Sequence, residues 1–126
     1  MTQIERVGVD AFAHGRLLRD GTAVVAFLAD WCPFCDEFVP HFARLARPGV
    51  RLLVADVTDD DSPLWERFSV SIVPTVIVFR DGVPSFRADG RSGEGLGPDD
   101  LRRIVSALAP TPAGPGVGPR PDPKAE

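Results

Sequence analysis

The fold is decided by the stretch AVVAFLADWCPFC, which occupies residues 23–35. Its first six residues are apolar, rich in β-branched side chains and preceded by Asp20-Gly21, which together predict a buried strand. After them the apolar residues are spaced by threes and fours, which predicts a helix that ends before Pro48-Gly49. The residues with this spacing are Phe34, Phe38, Phe42 and Leu45. Cys32 and Cys35, the two cysteines of the chain, therefore lie where a strand passes into a helix.

Two thiols in this position suit redox chemistry. Their spacing allows them to form a disulfide, and the positive end of the helix dipole stabilises a thiolate on Cys32. Cys32 is therefore the predicted attacking sulfur, and Cys35, one turn further into the helix, is the predicted resolving sulfur. As a structural crosslink the pair would contribute little, because the loop that it closes is short.

Three other uses of the cysteines remain open on this pattern. A zinc site needs four ligands, and the chain offers only His14 and His41 besides the thiols, at spacings unlike those of zinc motifs. The thiols could also be an inert pair in the core, or one of them a nucleophile paired with a histidine. No metal site is predicted.

The composition indicates one domain of ordinary size. The chain has 126 residues, of which 44% are hydrophobic and 25% are charged. Its net charge of -4 provides no basic surface for a nucleic acid. The chain has no apolar run of about 20 residues for spanning a bilayer, and no secretory signal follows Met1. We therefore expect a cytoplasmic protein that binds neither nucleic acid nor membrane.

Predicted strands and helices alternate along the chain. In order they are a strand at 4–7, a helix at 10–18, the strand at 23–28, the helix from 33, a strand at 50–57, a helix from 62, strands at 75–79 and 83–86 joined by Arg80-Asp81-Gly82, and a helix at 98–108. This order predicts an α/β fold, a central mixed sheet of four to five strands flanked by helices on both faces. Trp65 is assigned to the core, and the glycine-rich residues 90–97 to a flexible loop. A domain at 1–109 is predicted to precede a disordered Pro/Gly-rich tail at 110–126.

The chain resembles the thioredoxin family over residues 3–109. The resemblance rests on the buried strand, the segment at 29–35, Pro40 within the following helix, and Val73-Pro74-Thr75. It implies a thioredoxin fold in which the peptide before Pro74 is cis and faces the cysteines, while the backbone of Val73 pairs with an extended substrate. The side chains that it implies at the substrate surface are Trp31, Pro33, Phe34, Val73 and Pro74.

The same resemblance implies an activity. A protein of this family reduces protein disulfides by dithiol–disulfide exchange through a redox-active Cys32–Cys35 disulfide, as a monomer with no bound cofactor. A flavoprotein that uses NADPH would restore the dithiol. The alternatives are a binding or adaptor module in which the cysteines matter little, and an exported oxidase or isomerase of disulfides. Glutathione is a further alternative substrate, because glutaredoxins also carry proline and a ring between their cysteines, although their Gly-Gly pair is replaced here by Arg80-Asp81-Gly82.

Two positions depart from the family pattern. Thioredoxins carry a buried acid on the strand before the cysteines and a lysine on the next strand, where this chain has Ala26 and Asp56. We hypothesise that Asp56 projects into the same region and accepts the proton of Cys35. Buried there without a cationic partner, its carboxyl would have a raised pKa, since desolvation disfavours the charged form. The alternative is an exposed Asp56 at the strand end.

Overall fold

The computed structural model describes residues 4–108, which contain seven strands. These are β1 (Ile4–Val7), β2 (Phe12–Ala13), β3 (Arg16–Leu17), β4 (Thr22–Leu28), β5 (Val50–Asp56), β6 (Thr75–Arg80) and β7 (Val83–Asp89). Five of them form the main sheet in the order β1-β5-β4-β6-β7. The pairs β1–β5 and β5–β4 are parallel, whereas β4–β6 and β6–β7 are antiparallel. The predicted mixed sheet is confirmed, with five strands.

Strand β4 lies at the centre of this sheet. Its residues 23–27 have no exposed surface. Because consecutive side chains of a strand point to opposite faces, both faces of the sheet are covered at this strand. Phe27 packs against Phe12 and Phe68, with ring centroids 6.2 Å and 5.6 Å away. The strand that leads to the cysteines is thus fixed by packing on both sides.

The predicted helix at residues 10–18 is wrong, because β2 and β3 form a hairpin there. His14 and Gly15 make its turn with φ values of 54° and 75°, the left-handed conformation that suits a two-residue hairpin connection. The hairpin buries Phe12 and Leu17 in the core. The burial of these two apolar side chains outweighs the helical tendency of the segment.

Three α-helices accompany the sheet: α1 (Pro33–Ala43), α2 (Leu64–Arg67) and α3 (Pro98–Leu108). A short 3₁₀ helix occupies Val9–Ala11. Helices α1 and α3 begin as predicted, each with proline as its first residue, where the missing N–H costs nothing. Helix α2 is a single turn, so the segment from 62 is mostly irregular.

The hairpin signal between β6 and β7 is confirmed. Asp81 and Gly82 connect the two strands with φ values of 50° and 86°. An alanine side chain at Gly82 would place its Cβ 2.6 Å from the carbonyl oxygen of Leu17. Glycine is therefore required at this turn, both for its conformation and for its contact with the β2–β3 hairpin.

Over residues 4–108, no helix has the length and apolar character needed to cross a membrane. The tail predicted at 110–126 lies outside the described residues, as do residues 1–3.

Candidate active site

Cys32 is the N-cap of helix α1. Its backbone is extended, and its sulfur accepts a hydrogen bond from the backbone N–H of Cys35 at an N–S distance of 3.1 Å. The sulfur thus takes the place of a capping oxygen, at the positive end of the helix. Its thiol also lies 3.6 Å from the carbonyl oxygen of Val73. The cap fixes the sulfur between the start of α1 and the segment that precedes β6.

Cys35 lies one turn into the helix and is 2% exposed. Burial raises the pKa of its thiol to about 12, and the hydrogen bond with Cys32 acts in the same direction. The Cys35 thiol therefore stays protonated at neutral pH and is a poor first nucleophile. Both cysteines are present as free thiols.

A cavity of about 300 Å³ borders Cys32, and we call it the cysteine groove. The structure brings four of the five implied substrate-contacting residues to it together with Cys32: Trp31, Pro33, Phe34 and Val73. Pro74 is buried and does not line the groove, and the Val73–Pro74 peptide is cis, as the resemblance implies. Only 4% of Cys32 is exposed, and the residue lines the cysteine groove.

Glycines in the segment after β7 allow the backbone to approach this site closely. The backbone N–H of Gly90 donates to the carbonyl of Pro74 at 3.0 Å, and a Cβ at Gly90 would lie 2.5 Å from that same oxygen. A Cβ at Gly95 would lie 3.0 Å from the Cβ of Phe34. The sequence shows glycines in this segment but not their close contacts, so these two positions were missed as parts of the site.

The loop that joins Gly90 to α3 forms another wall of the cysteine groove through Arg91, Ser92 and Gly93. It is tied down by hydrogen bonds, since the backbone N–H groups of Arg91 and Gly95 each donate to the carbonyl of the other, at 3.1 Å and 2.8 Å. Arg91 also bonds the buried carboxylate of Asp100 on α3 at 3.1 Å. The sequence reveals the glycines of this loop but gives no signal for its position beside the cysteines.

Trp31 and Trp65 stack on each other beside Cys32, with ring centroids 6.3 Å apart and planes 8° from parallel. Trp31 is 54% exposed and is therefore a surface residue rather than part of the core. The assignment of Trp65 to the core holds in part: its half-buried side chain packs against the core, but it also lines the cysteine groove. The apolar character of Trp65 and its place on a predicted helix gave no indication that it would line the groove.

The prediction that Asp56 is buried with a raised pKa is wrong. The residue is exposed, and its Oδ1 accepts a hydrogen bond from the backbone N–H of Thr58 at 2.8 Å. Hydrogen bonds from the side chain and backbone of Thr58 lower the pKa of the carboxyl. The turn after β5 holds the carboxylate at the surface, a local contact that strand periodicity does not reveal.

Asp56 nevertheless borders a second cavity together with Cys35. This cavity has a volume of about 60 Å³, and Asp30 and Asp36 also line it. Its size and polar lining suit a water molecule. Ala26, which stands where the family carries a buried acid, is itself fully buried. The carboxylates that share this cavity with Cys35, those of Asp30, Asp36 and Asp56, therefore belong to exposed residues.

Within the part of the chain that the structure describes, no group of three or more histidine, cysteine, aspartate or glutamate side chains is placed to hold a metal ion. His14 lies in the β2–β3 turn and His41 on helix α1, and both are exposed. Neither histidine lines the cysteine groove. The described residues thus supply no histidine partner for Cys32 in the groove.

Comparison with known proteins gives one consistent result. A family model described as Thioredoxin matches residues 6–102. The chain is 32% identical over 105 residues to a thioredoxin of Chlamydia trachomatis, covering 82% of this chain and 96% of the relative. It is 36% identical over 103 residues to a thioredoxin of Mycolicibacterium smegmatis, covering 79% of this chain and 89% of the relative.

Solved structures agree on the fold. Mitochondrial thioredoxin 3 of Saccharomyces cerevisiae, in its oxidized form, superposes with a TM-score of 0.65 at 27% identity, over 83% of this chain and 95% of that one. Thioredoxin F from spinach chloroplast superposes with a TM-score of 0.67 at 20% identity, over 83% of this chain and 85% of that one. The second likeness supports the fold alone.

Proposed function

The chain belongs to the thioredoxin family, and on that premise we propose how its own residues reduce protein disulfides. Its activity is that of a thiol–disulfide oxidoreductase acting on protein disulfides. We assign the attack to Cys32 and the resolving step to Cys35. The observation that carries this assignment is the raised pKa of Cys35, about 12, in a residue shielded from solvent. At neutral pH that thiol keeps its proton, so the first attack falls to the sulfur that caps α1 and borders the cysteine groove.

The reaction then proceeds in two exchanges. The Cys32 thiolate attacks one sulfur of the substrate disulfide, forming a mixed disulfide and releasing the other substrate sulfur as a thiolate that takes up a proton. Cys35 loses its proton and attacks the sulfur of Cys32, which breaks the mixed disulfide and releases the second substrate thiol. The two electrons lost by the Cys32–Cys35 pair reduce the substrate, and the protein is left with an intramolecular disulfide.

We propose that the substrate segment lies extended in the cysteine groove. The backbone of Val73 would pair with it as an added strand, because Val73 precedes β6 and its carbonyl lies 3.6 Å from the sulfur of Cys32. Apolar contacts would come from Trp31, Pro33 and Phe34. The buried Pro74 would fix the backbone of Val73 through the cis peptide. In this arrangement the substrate disulfide meets the sulfur of Cys32 beside the backbone of Val73.

The remaining features are proposed from family membership. The protein would act as a cytoplasmic monomer and would need no bound cofactor. A flavoprotein that uses NADPH would return the Cys32–Cys35 disulfide to the dithiol. Both cysteines belong to one chain, so one subunit holds the complete redox pair.

A single-turnover experiment tests this function. Reduced protein is mixed with an excess of a disulfide-bonded protein, quenched with acid and analysed by mass spectrometry. We expect one substrate disulfide to be reduced for each Cys32–Cys35 disulfide formed, with a mixed disulfide on Cys32 as the transient species. Substrate reduction without any Cys32–Cys35 disulfide, or no reduction at all, would overturn the proposal.

Asp56 remains our candidate for the proton acceptor of Cys35, now acting through water in the shared cavity rather than by direct contact. The carboxyl is charged at neutral pH, as in any exposed aspartate, and can accept a proton relayed through water, although its lowered pKa makes it a weaker base than an ordinary aspartate. Asp56→Asn is expected to slow the release of substrate from the mixed disulfide by roughly tenfold at pH 7, less than direct general-base catalysis provides.

The matched control for this prediction is Asp20→Asn. Asp20 is exposed, as Asp56 is, but it lies before β4 and does not line the cavity with Cys35. The measurement is the pH dependence of the release rate. If both variants release substrate at the unaltered rate across the pH range, Asp56 has no part in the proton transfer.

A further inference from the structure

The paired indoles of Trp31 and Trp65 form a preorganised wall of the cysteine groove. The indole N–H of Trp31 donates to the carbonyl of Thr58 at 3.0 Å, and that of Trp65 donates to the carbonyl of Asp59 at 3.1 Å. Both rings are therefore held by the same short loop after β5. Because their N–H groups are already engaged, the two rings contribute aromatic surface rather than free hydrogen-bond donors to the groove that both residues line.

The loop that holds the indoles is strongly acidic. Asp59, Asp60 and Asp61 follow one another and are all exposed, and Glu66, next to Trp65, is exposed as well. These four residues do not line the cysteine groove themselves, but exposed carboxylates next to its aromatic wall create a negative potential around it. The aromatic wall and the negative charge therefore come from adjacent residues of one segment.

The nearby arginines do not cancel this charge. Arg91, on another wall of the groove, is paired with Asp100 at 3.1 Å and with Glu94 at 3.5 Å. Arg67 is two residues beyond Trp65 on α2, and residues at that spacing do not share a helix face. Arg67 lines a different cavity of about 470 Å³ that contains neither cysteine.

We propose that this wall makes Trp65 a specificity-determining residue that favours protein disulfides flanked by arginine or lysine. Cations bind the face of tryptophan more strongly than that of any other aromatic side chain, and arginine also stacks on it. The adjacent carboxylates add long-range attraction for the arginine or lysine side chain of the substrate. The inference rests on the proposed reductase function and specifies its substrate class.

The test uses three peptides that share one disulfide and differ at the residue beside the attacked cysteine, which is arginine, alanine or phenylalanine. With the intact protein we expect kcat/KM for the arginine peptide to exceed that for the alanine peptide by roughly threefold to tenfold, mainly through KM. At high salt, where the acidic loop is screened, Trp65→Ala should bring this ratio close to one, whereas Trp65→Phe should restore part of it, because a smaller π face remains.

The acidic loop is tested separately with the double variant Asp60→Asn/Asp61→Asn. It should lower the arginine preference at low salt but not at high salt, where exposed charges are screened. Asp20→Asn is the matched control, since it removes an exposed carboxylate before β4, at the end of the strand remote from Cys32. It should leave the ratio unchanged.

Two results would overturn the inference while leaving the reductase function intact: equal kcat/KM for the arginine and alanine peptides, or a preference for phenylalanine over arginine. Failure of the reductase function itself would look different, because then none of the three peptides would be reduced.

Discussion

Replacing Cys32 by serine is expected to lower the turnover of protein disulfides by roughly 10³-fold or more, because no thiolate remains to attack the substrate. Cys35 cannot take over, since its thiol is 2% exposed and burial raises its pKa to about 12. Cys35→Ser retains the attacking sulfur and lacks the resolving one. This variant is expected to react once and to stop as a mixed disulfide between Cys32 and the substrate.

Steady-state assays with dithiothreitol as the reductant measure the first effect, and non-reducing gels with mass spectrometry measure the second. The double variant, with both sulfurs replaced, is the control and should form no covalent complex. The assignment of roles would be reversed if Cys32→Ser accumulated a mixed disulfide on Cys35. If the chain were instead a binding module, in which the cysteines matter little, Cys32→Ser would keep its protein partner, and there would be no disulfide turnover to lose.

Gly90→Ala is expected to impair both stability and catalysis. The new Cβ would lie 2.5 Å from the carbonyl oxygen of Pro74, and this neighbour is backbone, which cannot turn aside as a side chain could. Either the end of β7 or the Val73–Pro74 segment must shift, at an overpacking cost of about 1–3 kcal/mol in the free energy of unfolding. A shift of Val73 also alters the groove beside Cys32, so kcat/KM for protein disulfides should fall with stability.

Gly8→Ala provides the matched control, because its Cβ would meet only Oδ1 of Asp10, at an ordinary distance of 3.6 Å. Denaturant unfolding and steady-state kinetics of both variants measure the difference. If the two substitutions had equal effects, the close approach of Gly90 to Pro74 would have no functional weight. If Gly90→Ala lost stability alone, the groove would tolerate the shift.

Sequence reasoning worked best where burial and spacing act together. The run at residues 23–28 is apolar throughout because β4 is covered on both faces, and the period after Pro33 follows the buried side of α1. It failed at residues 10–18, where a few apolar residues fit a helix as well as a strand. There the decisive residues are His14 and Gly15, whose left-handed turn lets Phe12 and Leu17 reach the core.

The site was predictable in its motif and less so in its surroundings. Cys32, Cys35 and Pro74 follow one another in a recognisable pattern along the chain. Trp65 and Asp56 depend on the path of the loop after β5, whose carbonyls and amides hold both side chains. A backbone hydrogen bond to a loop leaves no periodic trace in the sequence, so Asp56 was wrongly predicted to be buried, and the place of Trp65 in the cysteine groove was not predicted.

The parallel and antiparallel pairing of β4 determines when the site can form during folding. Leu28 at the end of β4 pairs with Asp56 in the parallel direction, and Phe27 pairs with Thr75 in the antiparallel direction. The contact between Cys32 and Val73 therefore spans 41 positions of the chain, and that between Asp30 and Thr58 spans 28. Contacts so distant in sequence require large loops to close first. A nascent chain that has not yet supplied β6 carries both thiols but no groove, so substrate recognition begins only once the sheet is complete.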